Sequence, residues 1–161
     1  MLDDITPLWK SHYSLGKSIL NLEETSEPEK SDSIFQIAKE EGLKEVTLVE
    51  DSMGGFLQAF KTSKKLGIKL NFGLRLSFVN DLDQSLEDRL NSSHKNIIFI
   101  KNESGYKRLI KIYSKAATEF YNKEPQIDYN ECKNLWDDKD LLMAVPFYDS
   151  FLMNNLLTNK V

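Results

Sequence analysis

A chain of 161 residues, 40% hydrophobic and 29% charged, with 7 Gly and 4 Pro, has room for one hydrophobic core. That balance excludes collagen-like, low-complexity and wholly disordered classes. A net charge of −4, from 21 basic and 25 acidic residues, argues against direct nucleic-acid binding by bulk attraction, which needs a basic footprint.

The single cysteine, Cys132, cannot form an internal disulfide, and with only His12 and His94 beside it the usual structural zinc patterns are absent. Apolar runs such as Ile97–Ile100 fall well short of the roughly 20 residues that span a bilayer, so no membrane association is expected. Asp3, Asp4 and Pro7 interrupt any N-terminal signal stretch, and the expected location is cytoplasmic.

In chain order, the segment 22–32 is acidic, contains Pro28 and lacks apolar periodicity, which predicts a loop. Ile34, Phe35, Ile37 and Ala38 share a helical face, with Ser31 or Asp32 as cap and Gly42 as stop. Val46–Val49 reads as a short buried strand. A second helix follows Gly54-Gly55, with Phe56, Leu57 and Phe60 on its inner face and an end near Gly67. Its Lys61, Lys64 and Lys65, with Lys69, read as a solvated face rather than a phosphate site. Leu70–Phe78 is the next strand.

The segment 80–95 reads as a polar loop, with a short helix allowed by Leu82, Leu86 and Leu90. Its Asp81-x-Asp83-x-Ser85 spacing fails as a calcium loop, since the sixth position is Leu86 and the twelfth Ser92. Asn96–Ile100 is a strand, and 104–120 the longest helix, with Tyr106, Leu109, Ile110, Tyr113, Ala117 and Phe120 predicted inward. Leu141–Val145 is a last strand before Pro146, and Phe151–Leu157 is helical.

Strands alternating with helices predict βαβ units and a parallel sheet in a single domain over 1–161. In such sheets chemistry gathers at the carboxyl ends of the strands. Those ends carry Lys10, Glu50-Asp51, Arg75, Lys101-Asn102 and Pro146-Phe147-Tyr148. Gly54-Gly55 could cradle a phosphate at a helix start, but without G-x-G-x-x-G or Walker spacing it reads as a tight turn. His12 and His94, each lacking clustered partners, read as locally bonded side chains, and Trp9 and Trp136 as candidate anchors for a partner.

Five blocks in order carry a resemblance. Leu8-Trp9-Lys10-Ser11-His12-Tyr13-Ser14-Leu15 is the first, and Ile37 to Leu43 followed by Leu48-Val49-Glu50-Asp51 the second. Phe60 to Lys69 followed by Phe72-Gly73-Leu74-Arg75 is the third. Ile97 to Ala116, containing Lys101-Asn102-Glu103-Ser104-Gly105-Tyr106-Lys107, is the fourth, and Pro125-Gln126-Ile127-Asp128 the fifth. Together they resemble the PHP (polymerase and histidinol phosphatase) domain of bacterial or phage DNA polymerase III alpha subunits, the Asn-Glu-x-Gly-Tyr block belonging to the polymerase branch.

The resemblance implies an α/β fold, a parallel-stranded, TIM-like distorted barrel, here partial. It also implies a cleft that holds up to three metal ions on His, Asp and Glu ligands. The matching positions are degenerate: two His positions fall on Leu8 and Lys10, the Asp-His pair on Glu50 and Asp51, and the Glu on Arg75. A family Cys falls near Phe147 or Tyr148, and the later His ligands have no counterpart in the 161 residues. Lysine and arginine repel a divalent metal, so no metal or other cofactor is expected beyond weak Mg²⁺ at Glu50 and Asp51. Lys10 and Arg75 are expected to neutralise those carboxylates instead.

The expected role is structural or docking in DNA replication. By resemblance the partners are a polymerase core and a proofreading exonuclease, and self-association is expected through an uncovered sheet face. The alternatives are a residual metal-dependent phosphoesterase using Glu50 and Asp51, and a free-standing phage-type protein-binding module.

Overall fold

The computed structural model describes residues 6–11, 13, 20–23, 32–118 and 124–157. The chain divides into two compact units, Met1–Leu74 and Arg75–Val161.

In the first unit, β1 (Leu8–Trp9) pairs in parallel with β4 (Glu45–Glu50), Leu8 opposite Thr47 and Trp9 opposite Leu48. β4 then pairs in parallel with the opening of β5 (Lys69–Val79), from Glu45 opposite Lys69 to Glu50 opposite Leu74. From Val46 to Glu50 the strand is buried, which is why it reads as an unbroken run and not as an alternation. β2 (Leu20–Asn21) and β3 (Asp32–Ser33) form a separate parallel pair.

α1 (Ile34–Glu40) starts at Ser33, whose Oγ accepts from the Gln36 amide, one residue later than the expected cap. It stops at Gly42, whose φ of +67° suits glycine. α2 (Phe56–Leu66) ends the same way at Gly67, φ +69°. Its inner face differs from expectation. Phe56, Ala59 and Ser63 are buried, while Leu57 and Phe60 are 58% and 43% exposed. Phe56 sets the phase by packing edge-on against Phe72, ring centroids 5.0 Å apart.

In the second unit the later part of β5 pairs in parallel with β7 (Gln126–Asp128), and β6 (His94–Ile100) pairs antiparallel with β8 (Leu141–Ala144). The antiparallel pair corrects the expectation of a wholly parallel sheet. Neither unit closes its strands into a ring among the described residues, so the mixed, parallel-dominated sheet is observed without a closed barrel. Closure needs a continuous circuit of paired strands. Here β1, β4 and β5 make one row, and β5, β6 and β8 another with β7 beside β5.

The segment 80–95 is more ordered than a loop. α3 (Leu86–Ser92) starts at Ser85, whose Oγ accepts from the Asp88 amide, and β6 begins at His94. α4 (Glu103–Thr118) buries Gly105, Leu109, Ile112 and Ala116, a face rotated from the expected aromatic one. The reason is local. A Cβ on Gly105 would stand 2.2 Å from the Asp140 carbonyl oxygen, so the helix can approach that backbone only there. α5 (Tyr129–Leu135), capped by Asp128, was not expected; α6 (Phe151–Leu157) was.

Candidate functional site

Parallel pairing of β1 with β4 decides what meets at the end of the first unit's strands. With Trp9 opposite Leu48, the chain leaving β1 at Lys10 and Ser11 runs beside Glu50 and Asp51. Lys10 Nζ lies 2.7 Å from Asp51 Oδ2, an ion pair that is part-buried. The Ser11 amide donates to Glu50 Oε1 at 2.8 Å, and both residues are fully buried. Glu50 Oε2 has no hydrogen-bond partner among the described residues. Behind them Gly55 is closely packed: a Cβ there would stand 3.2 Å from Leu22 and 3.3 Å from Tyr13. The Gly54-Gly55 turn is therefore a packing feature.

Leu8 is 58% exposed and brings no donor atom. His12 lies outside the described residues. In the second unit, Arg75 Nη2 donates to Asp149 Oδ2, an exposed aspartate with a φ of +59°. Aspartate visits that left-handed region more readily than most side chains. Phe147 and Tyr148, near the expected Cys position, are 72% and 70% exposed and pack edge-on against each other.

His94 is locally bonded, as its sequence context predicts. Its Nδ1 is 3.0 Å from the Ser92 carbonyl, which can only accept, so that nitrogen carries a proton. In the neutral ring Nε2 then accepts from Tyr129 Oη, 2.7 Å away, while the phenol oxygen accepts from Asn96.

Two second-unit groups escaped the sequence reading. Lys95 Nζ reaches both Ser77 Oγ and Glu124 Oε2, and Ser77 Oγ donates to Glu124 Oε1. Burial alone would raise the Glu124 pKa, but the bonds from Lys95 and Ser77 and the charges of Lys95 and Arg75 hold it below its ordinary value. Asp149 is the other. Neither has a sequence signal, since their partners are 18 to 74 residues away.

The family model for the PHP domain matches residues 10–149. The chain belongs to the PHP family. A search of curated proteins returned no match. Among solved structures, a Bifidobacterium adolescentis protein described as a metal-dependent phosphoesterase is similar at 20% identity and a TM-score of 0.30. The likeness covers 50% of this chain and 27% of that one.

Among the described residues at this strand end, each carboxylate already has a partner within the chain. Asp51 is held by an ammonium, Glu50 is committed through one oxygen to a backbone amide, and Leu8 and Lys10 provide no lone pair under ordinary conditions. Among the described residues no group of three His, Cys, Asp or Glu side chains is placed to hold a metal ion. No helix among them is long and apolar enough to cross a membrane.

Proposed function

We propose that this PHP-family chain is a catalytically degenerate module of a DNA polymerase III alpha-like protein, acting as a structural or docking element in cytoplasmic DNA replication. The observation that carries the reading is the Lys10–Asp51 ion pair, at 2.7 Å. An ammonium on that carboxylate supplies the positive charge that a metal would supply, without the Lewis acidity that activates water. The polymerase branch is supported by the block Lys101 to Lys107, and docking by the apolar surface of the second unit. There Phe147, Tyr148, Phe151, Leu152 and Leu157 are all more than half exposed, and such patches mark contacts.

The test has two arms. Purified protein with Mg²⁺, Mn²⁺ or Zn²⁺ is expected to release no product from an aryl phosphodiester or from single-stranded DNA. It is also expected to shift in sedimentation velocity when mixed with a polymerase core or a proofreading exonuclease. Metal-dependent turnover that disappears in Glu50→Gln overturns the first half. A clean, unshifted monomer with both partners overturns the second.

One observation favours a residual phosphoesterase as the second reading. Glu50 is fully buried with Oε2 unpartnered among the described residues, so one carboxylate oxygen remains for a cation. Turnover in the first arm would select it.

A further inference from the structure

The second unit contains a cavity of about 400 Å³ between the loop after β5, α3, the first residue of β6 and α6. That volume suits a small organic ligand. Asn80, Gln84 and Asn91 bring carboxamides to its wall. Asn154 and Asn155 adjoin them, the latter already donating its carboxamide to the Phe151 carbonyl at 2.7 Å, and Phe151, 56% exposed, adds an aromatic ring. Among the described lining residues none is a lysine or arginine. The one acid is Asp88, whose carboxylate already accepts from Ser85 Oγ at 2.6 Å. His94 forms part of the wall, with both ring nitrogens engaged by Ser92 and Tyr129.

This lining selects by chemistry. A carboxamide offers a donor and an acceptor side by side in one plane, the pattern that pairs bidentately with the edge of a nucleobase. The Phe151 ring offers a face on which a flat ring can stack. A phosphate or carboxylate would sit beside Asp88 with no cation from the lining to offset its charge. A sugar also accepts carboxamide bonds, but it lacks the planar donor–acceptor edge that a carboxamide pairs with and the flat face that stacks on a ring. We propose that this cavity binds an uncharged nucleobase, presented by a free nucleoside or by an unpaired base of a strand. The proposal goes beyond the docking reading and does not depend on the Lys10–Asp51 pair.

The experiment titrates the ¹⁵N-labelled full chain separately with adenosine, guanosine, cytidine and thymidine, following the side-chain amide signals of asparagine and glutamine. At least one nucleoside is expected to produce saturable shifts in the cavity amides. Its 5′-monophosphate is expected to bind more weakly. Gln84→Ala and Asn91→Ala, both at exposed positions, are expected to weaken binding about tenfold each, the worth of a bidentate base contact. Their backbone amide spectra report whether the fold is kept. Phe60→Ala, in the first unit, is expected to leave binding unchanged. Tighter binding of a short homo-oligonucleotide assigns the base to a strand, and weaker binding assigns it to a free nucleoside; both keep the nucleobase. The proposal is overturned if no nucleoside saturates by about 10 mM. Affinity that survives in both folded cavity variants, or stronger binding of N-acetylglucosamine through the same amides, also overturns it.

Discussion

The Ser11 amide donates to the Glu50 carboxylate at 2.8 Å, and both residues are fully buried. Removing the acceptor leaves a buried N–H without its partner, a loss of about 1–3 kcal/mol. Glu50→Ala is therefore expected to lower the urea midpoint clearly. Glu50→Gln is expected to lower it less, because its amide oxygen still accepts. Equal losses in the two variants would mean that the hydrogen bond contributes nothing.

Gly105→Ala tests the close approach of α4 to the Asp140 carbonyl. Alanine has the better helix propensity by about 1 kcal/mol. Its Cβ, however, would stand 2.2 Å from a backbone oxygen that has no flexible side chain to move aside. The expected result is net destabilisation of about 1–3 kcal/mol, the usual range for overpacking. A thermal midpoint at or above that of the parent would contradict it.

The Lys95–Glu124 pair gives stability a pH dependence of known sign. The folded pKa of Glu124 lies below the ordinary 4.5, so the unfolded chain binds a proton first. The contribution is therefore complete above that unfolded value and lost as pH falls through the depressed one. Glu124 is partly exposed, which holds the effect to about 1 kcal/mol or less. Lys95→Met is expected to narrow the stability gap between neutral pH and about pH 3. Parallel pH profiles for parent and variant would refute the pairing.

Cys132 is buried on α5, and burial, with the nearby Asp128 charge, pushes its thiol up to about 12. Reactivity follows the thiolate. Alkylation of the native protein at pH 8 is expected to be far slower than in denaturant, making the thiol a reporter of unfolding. Rapid labelling of the native chain would show that α5 opens locally.

Much of the fold was legible where it depends on neighbours in sequence. Gly42 and Gly67 end their helices at positive φ, and the Val46–Val49 run lies within β4. The phases of α2 and α4 were misread because large aromatics suggest an inner face. Packing chose smaller residues, Ala59 and Ser63 on α2 and Gly105 on α4. β7 and α5 went unread because a three-residue strand has no period of its own and exists through its pairing with β5. At the site, Lys10 and Arg75 were expected to offset Glu50 and Asp51. Lys10 does pair with Asp51, whereas Arg75 has Asp149 as a partner and Glu50 accepts from the Ser11 amide. Ser11 was missed because it acts through its main-chain amide, which carries no residue signature.

By itself the sequence determined the family, the glycine stops of α1 and α2 and the longer buried strands. These follow from residue type and short spacing, which act within a few residues. Only the tertiary structure decided which cation meets which carboxylate. Asp51 takes Lys10, from 41 residues away, and Asp149 takes Arg75, from 74 away. Strand register and backbone approach set those meetings, because a charge pairs with whatever the fold brings within reach.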